Sequence, residues 1–158
     1  MRKHFARPII GLAVCCVMLA LSAPALSSYQ GRYRGRAYTK ADVDAIIKRV
    51  ETRSDEFKKM FDDSLDRSRL DGTNAEDRLN DRVKDFEKEL DELRDDFDRK
   101  DSWRETRSHV EEVMREAEGV NTVMKNRRLH NRVEASWVLL RNELNKLAGI
   151  YNLPRLKA

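Results

Sequence analysis

Few side chains in this sequence can do chemistry, and their spacing argues against each familiar centre. A carboxylate-bridged di-metal site in a helical bundle needs Glu-x-x-His, so that both ligands leave adjacent turns of one helix. Three residues before His109 stands Thr106, and three before His130 stands Arg127. Covalent haem attachment needs C-x-x-C-H, whereas the only cysteines are the adjacent Cys15 and Cys16. A non-covalent haem would find its ligand types in Met60, Met114 and Met124 with His109 and His130. Methionines at helical spacing, however, more commonly fill irregular gaps in a core. One histidine falls a residue off an apolar stripe and the other in a connection between helices. A calcium loop has its glycine at the sixth position of an Asp/Asn-rich run. Counting back from Gly72 starts that run at Arg67. No serine occupies a strained elbow, and neither histidine has a nucleophile partner. The expectation is a protein without catalytic residue, cofactor or metal.

What positions the remaining residues begins with residues 1–25. Arg2, Lys3, His4 and Arg7 precede an apolar run from Ile9 to Leu21, and Ala23-Pro24-Ala25 follows. Charge, a short apolar core and A-x-A in that order are read by a signal peptidase. The run is shorter than the roughly 20 residues of a membrane-crossing helix. The sequence therefore predicts export to the periplasm or beyond, with cleavage near Ala25. A mature chain starting there carries no cysteine, and three of the 32 bases leave with the signal. The alkaline pI of 9.1 thus owes part of its value to residues 1–25.

Residues 26–38 are Gly- and Tyr-bearing and basic, with Arg32, Arg34 and Arg36 beside Tyr33 and Tyr38, and predict a flexible arm. From Thr39 the apolar residues recur with helical period. Thr39 with Asp42 marks a helix start, and Val43, Ile46, Ile47, Val50, Phe57, Met60, Phe61 and Leu65 form its stripe. Ser54, Ser64 and Ser68 weaken that seam. The helix is expected to stop at Leu70-Asp71-Gly72, with glycine as left-handed cap. Thr73 with Glu76 opens the second helix, in which Leu79, Val83, Phe86, Leu90, Leu93 and Phe97 alternate steps of four and three, as in coiled coils. Ser102 with Glu105 opens the third, with Trp103, Thr106, Val110, Val113, Met114, Ala117, Val120 and Met124 on one face. Gly119 lies on the opposite side, and the helix is read as continuing to Asn126. Val133, Trp137, Leu140, Leu144, Leu147 and Tyr151 make the fourth, ended by Asn152-Leu153-Pro154. The fold expected for 39–152 is all-α: an up-down-up-down four-helix bundle with coiled-coil-like heptad packing, followed by a tail over 153–158. A long helical hairpin or three-helix coiled coil is the alternative.

Charge is uneven. Residues 76–101 hold twelve acids and seven bases, while residues 102–158 hold eleven bases and seven acids. The plain consequence is attraction between neighbouring helices. The sharper one is that Lys125, Arg127, Arg128 and Arg132, with Arg32, Arg34 and Arg36 of the arm, meet an anionic membrane or polymer surface. Basic-aromatic arms also stack on single-stranded nucleic acid, a partner that an exported protein rarely meets. Ala135, Val138 and Leu139 lie on the far side of the fourth helix from its core stripe and form a candidate self-association or client patch.

The stretch Leu65-Asp-Arg-Ser-Arg-Leu-Asp-Gly-Thr73, with Asp85-Phe86-Glu87 and Leu93-Arg-Asp-Asp-Phe97, resembles an uncharacterised family of exported bacterial helical proteins. The resemblance runs to about Asn152 and implies no activity, cofactor or catalytic residue. Small periplasmic helical chaperones are similar only in size, export and charge, since their L-T-x-x-Q repeat is absent. The functional expectation is a non-enzymatic structural or interaction protein of the cell envelope. A holdase-type chaperone is the alternative, and an anionic-surface binder stands third.

Overall fold

The computed structural model describes residues 37–127 and 129–158. The signal segment, nearly all of the arm and Arg128 lie outside those residues. The described chain is a four-helix bundle: α1 Lys40–Leu65, α2 Asn74–Arg99, α3 Arg107–Asn126 and α4 Asn131–Ile150, with a 3-10 turn Trp103–Thr106 leading into α3.

The starts are set by side chains that bond the free amides of a first turn. Thr39 and Asp42 form a reciprocal capping box, as do Ser102 and Glu105 at the 3-10 turn. Thr73 caps α2 through the Glu76 amide, but the Glu76 carboxylate reaches past Thr73 to the Gly72 N–H at 2.7 Å. His130 supplies the fourth cap, its Nδ1 accepting from the Arg132 amide at 3.3 Å.

Cross-helix contacts fix the topology. Asp44 of α1 meets Arg94 of α2, and Lys58 meets Glu87. Asp96 of α2 faces His109 of α3, while Arg82 lies over Gly119. Asn121 of α3 bonds Trp137 of α4, and Thr106 bonds Tyr151. Arg49 of α1 pairs with Glu143 of α4, and Phe57 packs on Trp137. Numbers rise on one helix as they fall on the next, so all four neighbours are antiparallel, as expected. The backbones of α1 and α4, and of α2 and α3, approach closest.

Every apolar residue of the α2 and α4 stripes is buried, with Phe86, Leu93, Leu140, Leu144 and Leu147 fully so. Two expectations for α1 need correction. The helix ends at Leu65, not Leu70: the Ser68 hydroxyl takes the Leu70 amide at 3.0 Å, offering the backbone a partner other than the helix. Gly72 does adopt the left-handed conformation, φ 69°, but inside the turn that follows. Met60 sits at the edge of the stripe and is 38% exposed. Gly119 is half-buried beneath Arg82 instead of facing solvent, and α3 continues through it to Asn126.

Candidate interaction surface

The outward side of α4 carries Ala135, Val138 and Leu139, all exposed, the last two by 42% and 47%. Spacings of three and four set them on adjoining turns of one helix, opposite the buried Trp137, Leu140 and Leu144. The four large apolar side chains described as exposed are these two, Met60 and Tyr38. Met60 projects from the side of α1 that also carries Arg49, which pairs with α4.

Elsewhere the surface is dominated by ion pairs. Arg94 of α2 is the most elaborate, its side chain only 18% exposed. Its Nε and Nη2 clasp Glu51 at 2.8 and 3.0 Å, and Nη1 reaches Asp44 at 2.7 Å. Glu51 first, then Asp44, hold the guanidinium firmly in its charged form. Hydrogen bonding from Lys48, with help from Arg94, keeps the Asp44 carboxyl below its ordinary value. Arg94 and Lys40 also lie 5.7 and 5.2 Å from the Phe97 ring centre. On the opposite seam burial pushes Glu143 up, but hydrogen bonds from Lys146 and Arg49 outweigh it and leave the carboxyl below its usual range. Burial dominates at Asp62 and Glu87, whose carboxyls are raised despite Lys58.

The residues read as basic contacts divide. Lys125, Arg127 and Arg132 gather around the α3–α4 connection, all exposed. Among the described residues none of the three forms an ion pair, which leaves their charge toward solvent. Arg128 shares that connection but lies outside the described residues, as do Arg32, Arg34 and Arg36. The arm joins α1 at the other end of the bundle. There the Tyr38 carbonyl accepts the Trp103 indole N–H at 3.1 Å. An α1 of 26 residues separates the two ends by about 39 Å.

Of the described histidines, His130 caps α4, and His109 lies 3.7 Å from Asp96. The α1–α2 turn gathers the carboxylates of Asp66, Asp71 and Glu76 with oxygens within 4.8 Å of one another. One of those oxygens, on Glu76, already accepts the Gly72 N–H.

Sequence reasoning missed the polar group inside the α3–α4 seam. Asn121 is fully buried. Its Oδ1 accepts the Trp137 indole N–H at 3.1 Å, and its Nδ2 donates to the Lys157 carbonyl at 3.0 Å. The available signal was its position on the core stripe, four residues after Ala117 and three before Met124, where an asparagine fixes register. The tail was missed with it: residues 153–158 fold back, and Leu156 is 6% exposed.

No helix among the described residues is long and apolar enough to cross a membrane. No protein-family model, curated protein or solved structure matches the chain.

Proposed function

We propose that this chain is an exported, non-enzymatic helical bundle serving the cell envelope as a structural or interaction module. The observation that carries the reading is the exposure of Val138 and Leu139 beside Ala135 on α4. Burying such side chains is worth about 1.5–3 kcal/mol each, which a second protein surface can collect. The patch is small, so a regulated or modest contact fits better than an obligate one. The N-terminal run of charge, apolar core and A-x-A supports the exported location.

Sedimentation velocity of the purified protein, wild type against Val138→Lys with Leu139→Lys, tests the patch for self-association. Concentration-dependent association lost in the variant supports it; identical profiles move the contact to a different partner.

A second reading, a holdase-type chaperone, rests on the same apolar side chains set in a charged frame. Suppression of aggregation of an unfolded client, lost in the double lysine variant, favours it. Contact with an anionic membrane or polymer through Lys125, Arg127 and Arg132 is the third reading, supported by their lack of ion pairs among the described residues. Co-sedimentation with acidic liposomes at low salt, weakened by Arg127→Glu with Arg132→Glu, checks it.

A further inference from the structure

After Tyr151 the chain reverses through Asn152, which has φ 54°, and Leu153 donates its N–H to the Ala148 carbonyl at 2.8 Å. Residues 153–158 are neither helix nor strand, so side chains of the bundle must meet their backbone groups. Asn145 does this on both sides of Leu156. Its Oδ1 accepts the Leu156 N–H at 2.8 Å, and its Nδ2 donates to the Leu156 carbonyl at 3.2 Å. Asn121 of α3 donates to the next carbonyl, that of Lys157, at 3.0 Å. Gly149 lies one turn beyond Asn145 on the same side of α4. A Cβ there would stand 3.3 Å from Arg155 Nη2, so its missing side chain leaves the space in which Arg155 lies. Leu156 is sunk into the bundle, and Leu153 packs half-buried against the same core.

Side-chain amides that bond a backbone N–H and its carbonyls read any extended chain, and the pocket that buries Leu156 supplies selectivity. This is how peptide sites divide affinity from specificity. An adjoining cleft of about 440 Å³ runs along α3, between Glu111, Met114 and Glu118 on one side and Leu153, Pro154 and Leu156 on the other.

We propose that the α3–α4 groove is a binding site for an extended peptide with a leucine anchor, and that the segment Leu153–Ala158 of this chain is its resident occupant. The ligand class is a short extended segment of the tail's own pattern, with proline two before the anchor and cations on either side of it. Glu111, paired with Arg107 at 2.9 Å, and Glu118 line the same cleft as the tail's Arg155 and Lys157. A tethered segment acts at an effective concentration in the millimolar range, so a peptide in trans meets an occupied groove until the anchor leaves. The inference rests on the bundle being an interaction module and names one class of its partners.

The test uses the full chain and a fluorescent peptide Asn152–Ala158, followed by anisotropy. Leu156→Asp should empty the groove and bind the peptide at least about tenfold more tightly than wild type. Adding Asn145→Ala to that variant should abolish the gain. A Leu156→Asp protein with wild-type helicity by circular dichroism and no gain in affinity overturns the proposal. Should that variant fail to fold, the same peptide with a photoreactive leucine at the anchor is cross-linked to the wild type at millimolar concentration. Adducts on α3 near Asn121 and on α4 near Asn145, competed by unlabelled peptide, support the site; adducts elsewhere or none overturn it. Failure here leaves the sedimentation test of Val138 and Leu139 untouched, so the two readings fail separately.

Discussion

Asn121 and Trp137 bond each other across the α3–α4 seam at 3.1 Å, with 0% and 2% of their surfaces exposed. One is an amide on a stripe otherwise made of Val, Met and Ala, and the other is the largest side chain of α4. The same amide holds the Lys157 carbonyl, so a single buried residue ties α3, α4 and the tail together.

Asn121→Leu should therefore destabilise despite adding apolar volume, because the Trp137 N–H and the Lys157 carbonyl lose their partner. An orphaned buried polar group costs about 1–3 kcal/mol. Asn121→Leu with Trp137→Phe should recover part of that loss, since no indole N–H is left unpaired. Urea denaturation of the three proteins measures both terms.

Arg94 tests whether the α1–α2 seam depends on shape as well as charge. Its bidentate grip on Glu51 and its reach to Asp44 need a planar fork that lysine lacks. Arg94→Lys keeps the charge yet should cost about 1–3 kcal/mol, the range for hydrogen bonds to charged groups. A melting temperature equal to that of the wild type would show that charge alone suffices.

Ser54 predicts the opposite sign. Its side chain lies on the α1 core stripe, 2% exposed, and its hydroxyl oxygen has no hydrogen-bond partner among the described residues. Ser54→Ala removes the unmet group and substitutes the best helix former. A gain of about 1 kcal/mol is expected, read as a raised melting temperature.

Acid sensitivity follows from Asp44 and Glu143. Both carboxyls are held below their ordinary values of 3.8 and 4.5. Their contribution to stability is complete above those values and is lost as pH falls through the lower folded ones. Removing the partners of Glu143 with Arg49→Met and Lys146→Met leaves only burial, which raises its carboxyl. Acidification through about 4.5 should then relieve strain at that site instead of adding it. Melting temperatures of the two proteins against pH distinguish these signs.

The four-helix pattern was legible because the heptad steps of α2 and α4 place their stripes by spacing alone, from Leu79 to Phe97 and from Val133 to Tyr151, although Ala148 and Ile150, off that step, are buried as well. The caps Thr39, Thr73 and Ser102 were legible for a similar local reason. The end of α1 was not, because the Ser68 hydroxyl takes a backbone amide in competition with a glycine that also signals an end. Met60 was misplaced because it lies at the stripe's margin, where period does not decide exposure. The outward position of Val138 and Leu139 could be read from the helical wheel. The docking of the tail could not: Asn145 and Leu156 are eleven residues apart, and their pairing depends on a chain reversal at Asn152 that no periodicity encodes.

The central claim is that the outward side of α4 meets another protein surface, and site-specific photo-cross-linking in intact cells tests it most directly. A photoreactive residue in place of Leu139 should yield one discrete adduct, with this chain or with one partner. One in place of the exposed Asp91 of α2 should yield none. A smear common to both positions, or no adduct from position 139 in a protein present at normal abundance, would contradict the account.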